Sequence, residues 1–360
     1  MTGIAQTNAE ARRLRALFEA EGAQVVETDL LQPADTLLDL YGEDIRARAY
    51  VTHDGVRGEL MLRPDFTVPV VQWHMESMAE PARYTYSGKV FRMQQVDSTR
   101  PTEFVQVGYE VFNGQEPEKA DAEVFTLIAK ALDGLPVRPV TGDYGILTAA
   151  VLGLDTTDAR KAALLRHIWR PSRFRSLLNR FGGKVPAPKG RDALLASDNP
   201  LSAVQVHGLR SEAEITARIE ALREDAKTPA LSSDQISLLE EILSLRETCP
   251  NVLQHLRDIS VDMPSIGASV DRFERRLSAL LDAGVAVDGL AFEGKYGRSS
   301  LEYYDGFVFG FDVEGRKDLP PLATGGRYDA LTRVLGQGRE VPAVGAVVRP
   351  ELVVALRGQS

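Results

Sequence analysis

The chain has 360 residues, 44% hydrophobic and 26% charged, a globular composition able to bury one large core or two ordinary ones. No apolar run approaches the ~18 residues of a membrane span, and the start, MTGIAQTNAEARRLRALFEAEG, lacks the charged-apolar-small order of a secretory signal, so a cytoplasmic protein is expected. A net charge of −9 argues against a chain devoted to nucleic acid, and a single cysteine, Cys249, with five scattered histidines offers neither a disulfide nor metal-ligand spacing; no metal and no cofactor are expected.

Thr7 or Asn8 can cap a helix in which Ala11, Leu14, Leu17 and Phe18 share one face, with Gly22 placed to stop it. A strand carrying Val25, Val26, Thr28 and Leu30 should end before Pro33. Ala49 to Val71 reads as a hairpin that turns at Asp54-Gly55. The segments YTYSGKVFRMQ and EFVQVGYEVFN form a second antiparallel pair with a longer, polar connection. Glu118 to Leu132 is helical, with Val124, Leu127, Ile128 and Ala131 on one stripe. Roughly Leu154 to Ala283 is helix-rich and broken by prolines, and strands return with VDGLAFEG, LEYYDGFVFGFDV and PAVGAVV. That order suggests an α+β fold, one β-rich module over 1–360 interrupted at about 154–283 by a helical insertion.

Inside the helix-rich stretch, Arg166, Arg170, Arg173, Arg175, Arg180, Lys184 and Lys189 lie between Arg160 and Arg191, interleaved with Trp169, Phe174 and Phe181. Such a mixture can bind RNA or an acidic partner; the plainer reading is a pair of amphipathic helices with a solvated basic face.

Three places carry possible chemistry. In MLRPDFTVPVV, Pro64 cannot continue an interior ladder, so Asp65 and Thr67 should sit at a strand end opening onto a helix, where they can hold an ammonium group or cap the helix. In VFRMQQ, Arg92 stands among apolar neighbours, and an inward arginine must be paired or bind an anion. In EFVQVGYEV, Gln106, Gly108 and Glu110 fall on one face at period two, suited to a small polar ligand or to an exposed sheet face. TGGRYDAL lets backbone approach a ligand or makes a turn, and it is not a phosphate loop.

In order, LRPDFT, VFRMQ, EFVQVGYEVF, LEYYDGFVFGF, GGRYD and PAVGAVV resemble the catalytic domain of histidyl-tRNA synthetase, a class II aminoacyl-tRNA synthetase. The resemblance implies an antiparallel sheet flanked by helices, a dimer interface at the first helix and strand, and a histidine pocket. In that pocket the positions matching Asp65, Thr67 and Gln106 hold the amino end. Arg92 matches the group serving the carboxylate and the ATP α-phosphate. Glu110, Tyr303 and Tyr304 match the groups around the imidazole, which presents one donor and one acceptor to a carboxylate and a phenol.

The chain departs from that pattern where ATP chemistry is done. Aligning on Leu301-Glu302-Tyr303-Tyr304 puts Ser299 where the synthetases carry the adenylating arginine, with Arg298 one step out of register. Leu352 stands at the ATP-clamping arginine of the third motif, with Arg349 out of register. Gln94 replaces an acid, and Asp65 shortens a glutamate. Losing two positive groups at the α-phosphate should leave no adenylation. With the chain stopping at Ser360 and no C-terminal anticodon-binding domain expected, it resembles the ATP phosphoribosyltransferase regulatory subunits of histidine biosynthesis. That family implies a non-catalytic chain, a short-form catalytic subunit as partner, L-histidine as ligand and feedback regulation. The competing readings are a histidine-adenylating enzyme or truncated synthetase, and an RNA-binding module, which the acidic total disfavours.

Overall fold

The computed structural model describes residues 3–34, 47–77, 79–94, 98, 100–201, 208, 210–297 and 303–358. Helix α1 (Ile4–Ala20) begins before the expected Thr7 or Asn8, with Gly3 at the cap and its amide donating to the Gln6 side chain. Ala11, Leu14 and Phe18 are buried along its inner stripe, and the chain turns away at Gly22, whose φ of +87° suits glycine.

The single strand expected over Val25 to Leu30 is two short ones, β1 (Gln24–Val25) and β2 (Leu31–Pro33), which join different sheets. Pro33 lies within β2, not after it. This strand is an outer one, in the order β2-β4-β3 with β3 (Val51–Asp54) and β4 (Gly58–Leu62), so a missing N–H is tolerated. The β3–β4 hairpin pairs Asp54 with Gly58, leaving a three-residue loop. The Asp54 carboxylate accepts the Val56 and Arg57 amides, an arrangement that replaces the expected two-residue Asp-Gly turn.

After α2 (Thr67–Ser77), β5 (Ala82–Phe91) and β6 (Glu103–Phe112) pair antiparallel over their full length. The other strands are β7 (Val137–Asp143), β8 (Arg246–Thr248), β9 (Ala291–Glu293), β10 (Phe307–Val313), β11 (Ala323–Arg327) and β12 (Ala343–Val348). Among the described residues nine strands form one sheet, ordered β1-β5-β6-β12-β11-β10-β7-β9-β8. Its centre, from β5 to β7, is antiparallel as expected, while β1 joins β5 and β9 joins β7 in parallel, making the sheet mixed.

The helices continue as α3 (Pro117–Ala131), α4 (Tyr144–Leu152), α5 (Asp158–Arg166), α6 (Pro171–Phe181), α7 (Arg191–Ala196), α8 (Glu212–Lys227), α9 (Ser233–Ser244), α10 (Cys249–Asp262), α11 (Gly267–Asp282), α12 (Asp329–Leu335) and α13 (Pro350–Arg357). Alternation along β6 sends Val107, Tyr109 and Val111 into the helical layer of α1 and α3, and there Phe125 meets Phe307, Phe309 and Phe311 of β10. The opposite face of the sheet packs on α2, on α12 and on Tyr303 and Tyr304. No helix among the described residues is long and apolar enough to cross a membrane.

The basic stretch from Arg160 to Arg191 divides by face. Phe174 and Phe181 are buried, and Trp169 sits edge-on to Tyr144, so none of the three aromatics stands out as a stacking platform. Arg160 is buried and tied to the Asp225 carboxylate and to the carbonyls of Asp225, Thr228 and Pro229. Arg166, Arg173, Arg175, Arg180, Lys184 and Lys189 are exposed, as on the outer side of amphipathic helices.

One buried ionic cluster joins the layers. Asp121 of α3 accepts from Arg276 of α11 at 2.7 Å and from Arg327 of β11 at 2.6 Å; Arg276 also donates to Asp143 at the end of β7, and Arg327 to Asp329. Both arginines and Asp121 are 1–2% exposed, so each charge depends on the others for compensation. Asp121→Ala would leave two guanidiniums partly uncompensated and is expected to lower unfolding stability by about 3–5 kcal/mol, read as a drop in the urea midpoint.

Candidate functional site

The alternation of β6 places Gln106, Gly108 and Glu110 on the face opposite the helical layer. That face is not solvent: Gln106 and Glu110 are each 1% exposed. An interior carboxylate needs donors, and Glu110 has three. Its Oε1 accepts from Thr67 at 2.9 Å and from Tyr86 at 2.7 Å, and its Oε2 accepts from Tyr328 at 2.6 Å. Burial disfavours its charged form and pushes its pKa up to about 7, and the three hydroxyls offset only part of that.

Room for this arrangement comes from glycines on the same face. The sheet register sets Glu110 opposite Gly345 of β12, and a Cβ on Gly345 would lie 1.4 Å from Glu110 Oε2. Tyr86 of β5 faces Gly108, where a Cβ would meet the phenol ring at 2.1 Å. The Tyr86 ring is held flat by Phe66, 4.4 Å away and stacked, and Phe66 in turn lies under the Arg63 guanidinium at 3.9 Å.

Asp65, Thr67, Tyr303 and Tyr304 complete the wall. Asp65 is buried between β4 and α2, and Thr67 is the first residue of α2, its hydroxyl donated to Glu110. Burial raises the Tyr303 hydroxyl far above its ordinary range and the charge of Asp65 raises it further, while contact with the Thr67 hydroxyl works the other way. The Tyr303 ring meets Tyr304 at 4.9 Å and Tyr328 at 6.1 Å, both edge-on. Asp305, next in the chain, accepts the amides of Asp329 and Ala330 and so ties the YYDG segment to α12. Arg92 lies just past the end of β5, not within it. Its Nε donates to the Pro64 carbonyl, its charge reaches Tyr304, and its Nη2 is buried with no hydrogen-bond partner among the described residues.

Of the residues singled out from sequence, Thr67 and Glu110 bond directly, Tyr303 joins them through Thr67 and Tyr328, Tyr304 packs on Tyr303, and Asp65 and Arg92 stand beside the tyrosines. Gln106 shares the Glu110 face, and its Oε1 is buried without a partner among the described residues. Sequence reasoning missed Tyr86 and Tyr328. The signal for Tyr86 is its placement opposite Gly108 once the two strands are paired; Tyr328 lies within GGRYD, and only the tertiary fold sets it against Glu110.

The chemistry of the set is asymmetric. The buried Asp65 carboxylate and the Gln106 amide oxygen suit a ligand ammonium, and the Arg92 fork offers donors for a carboxylate. Glu110 has about four acceptor positions, and three are taken. By that count one acceptor position, on Oε2, is left over.

A family model described as histidyl-tRNA synthetase matches residues 3–353. A protein of Allorhizobium ampelinum named ATP phosphoribosyltransferase regulatory subunit is 32% identical over 349 residues, covering 91% of this chain and 92% of the relative. The chain belongs to the ATP phosphoribosyltransferase regulatory subunit family. A Mesorhizobium japonicum protein of the same name is 30% identical over 368 residues, covering 96% of this chain and 97% of its own length. Among solved structures, one described as an ATP phosphoribosyltransferase regulatory subunit/histidyl-tRNA synthetase from Bacillus halodurans superposes with a TM-score of 0.67 at 22% identity, covering 98% of this chain and 79% of that one. A histidine–tRNA ligase subunit from Alicyclobacillus acidocaldarius gives 0.61 at 22% identity, covering 99% and 93%. The regulatory subunit family thus shares the class II synthetase-type fold.

The departures from the synthetase pattern have their own places in this regulatory-subunit chain. Ser299 and Arg298 lie outside the described residues. Leu352 sits in the first turn of α13, and Arg349 just before that helix donates to the Pro321 carbonyl. The Gln94 side chain bridges the Arg92 and Pro101 carbonyls and accepts from Arg48.

Two outcomes follow from this geometry. A free glutamate ionises near 4.5 and folded Glu110 near about 7, so between those values the native state holds a proton that the unfolded chain has lost. The stability Glu110 contributes is therefore full below about pH 4.5 and falls as pH rises to about 7, by on the order of 3 kcal/mol. Glu110→Gln lacks that term, so its stability relative to the natural chain should improve between about pH 5 and pH 8 in paired urea titrations; a pH-independent difference would contradict the assignment. Gly345→Ala forces Glu110 aside and is expected to cost about 1–3 kcal/mol or more by thermal unfolding, where a surface Gly→Ala would be near neutral.

Proposed function

We propose that the chain is the non-catalytic regulatory subunit of an ATP phosphoribosyltransferase, acting at the first step of L-histidine biosynthesis, and that it binds L-histidine at the Glu110 pocket. The observation that carries this is the buried Glu110 carboxylate, held by three hydroxyls on the same face as the unpartnered Gln106 Oε1. It suits the N–H of a neutral imidazole, with a tyrosine hydroxyl donating to the ring's other nitrogen. Asp65 and Gln106 then meet the ammonium, and Arg92 meets the carboxylate. A leucine at 352, in place of a clamping arginine, supports binding without adenylation.

The partner in this reading is a short-form catalytic subunit that needs the chain for activity. Feedback requires histidine to prefer one state of the assembly, and a 10-fold preference corresponds to about 1.4 kcal/mol. A homodimer through α1 and β1, and a cytoplasmic location, belong to the same proposal.

The decisive measurement mixes the chain with a short-form ATP phosphoribosyltransferase and follows turnover with and without histidine. Activation on mixing and inhibition by histidine are expected, with no histidine-dependent ATP–pyrophosphate exchange by the chain alone. Absence of both a complex and activation would overturn the assignment. Within it, Glu110→Ala should weaken histidine binding about 10-fold or more and Tyr303→Phe about 3- to 10-fold, with the complex still eluting intact. Unchanged affinity in both variants would refute the pocket.

A further inference from the structure

Between Asp158 and Asp192 the sequence carries ten cations, seven arginines and three lysines, and no acidic residue. The net charge of −9 is thus +10 in this stretch and −19 in the rest of the chain. Two of the cations serve the fold, because Arg160 and Arg191 both reach the Asp225 carboxylate of α8. Arg166, Arg173, Arg175, Arg180, Lys184 and Lys189 are exposed, and none of the six forms an ion pair among the described residues. On α1, α3, α10 and α11, by contrast, Arg15, Lys130, Arg257 and Arg275 each find a surface carboxylate.

The basic face is held in place from beneath. Phe174, Leu178 and Phe181 bury one side of α6, the Leu231 amide donates to the Phe181 carbonyl, and a Cβ on Gly182 would meet Ile236 of α9 at 2.4 Å. With that side inward, the helical period sets Arg173 and Arg180 on one shoulder of α6 and Arg175 on the other, with Ser172 and Ser176 between them. The Arg180 guanidinium lies over the Phe181 ring at 4.7 Å, which steadies it at the surface. Like charges gathered in this way repel one another, and an acidic surface laid over them relieves the repulsion.

The occupant that fits is a folded protein surface rich in Asp and Glu, because guanidinium forks pair with carboxylates in two-point contacts. A nucleic-acid strand would run on past an 11-residue helix, ~16 Å long, onto a surface that carries −19. No aromatic ring of this stretch stands out to stack on its bases. We propose that the outer face of α6, with the cations that flank it in sequence, is the docking surface for an acidic face of the catalytic subunit. This rests on the partner reading above and adds the surface to it; none of these residues belongs to the Glu110 site.

The test is biolayer interferometry between the full chain and a short-form ATP phosphoribosyltransferase at about 50 and 300 mM salt. Affinity of the unaltered chain is expected to fall about 10-fold or more between the two, as charge pairing across an interface requires. Arg173→Glu with Arg175→Glu should weaken binding at least about 10-fold at the lower salt, mainly through slower association, and leave histidine affinity unchanged. Arg272→Glu with Lys317→Glu makes the same change of charge at exposed positions elsewhere and should stay within about 3-fold of the unaltered chain. Where the melting temperature shows that the reversed pair disturbs folding, Arg173→Gln with Arg175→Gln takes its place, with a loss of about 3-fold or more expected. A complex that forms with the unaltered chain but is not weakened by the α6 variant, or is weakened as much by the control pair, overturns the docking surface and leaves the partner reading standing. No complex with the unaltered chain overturns both. An RNA duplex of about 20 base pairs that binds more tightly than the catalytic subunit, and is lost in the α6 variant, would overturn the proposal in favour of nucleic acid.

Discussion

A carboxylate in the middle of a sheet is the constraint around which this protein is arranged. Glu110 sits where water does not reach, and an interior charge of that kind survives only with donors on nearly every lone pair. The donors come from three separated parts of the chain: Thr67 where α2 begins, Tyr86 on the neighbouring strand, and Tyr328 after β11. Each is fixed by its own surroundings, Tyr86 by its stack on Phe66 and Tyr328 by the adjoining Arg327 within the buried ionic cluster. The sheet's register, the α2 boundary and the charge cluster thus converge on two oxygen atoms.

The two faces of β6 do different work from one alternating sequence. Val107, Tyr109 and Val111 hold the helical layer, while Gln106, Gly108 and Glu110 form the buried polar face. Because the side-chain period is two, moving the strand by one residue would put the polar groups into the helical core and the apolar ones against Thr67, Tyr86 and Tyr328. The placement of the buried carboxylate and the packing of the core are in this sense the same requirement.

Much of this was legible in the amino-acid sequence because periodicity and ordered short motifs survive without coordinates. The β5–β6 pair, α3 with Val124, Leu127, Ile128 and Ala131, and the common face of Gln106, Gly108 and Glu110 are local patterns. What was not legible depends on partners distant in sequence. Pro33 falls inside a strand because β2 is an edge, a fact that only the sheet order supplies. Glu110 could have faced solvent until Tyr328, over two hundred residues away, was placed against it. Arg349 looked merely displaced by three residues from a motif, whereas in space it shares a cavity with Arg92 and Arg100.

The register of Gly345 against Glu110 also has a historical meaning. A side chain gained at 345 would occupy the volume of the carboxylate, and the strand could then adapt only by shrinking residue 110. Once both positions had changed, neither single reversal would restore the packing, because a glutamate at 110 would collide and a lone glycine at 345 would open a void. Loss of this carboxylate site by descent would be a ratchet, easy to turn once and hard to turn back.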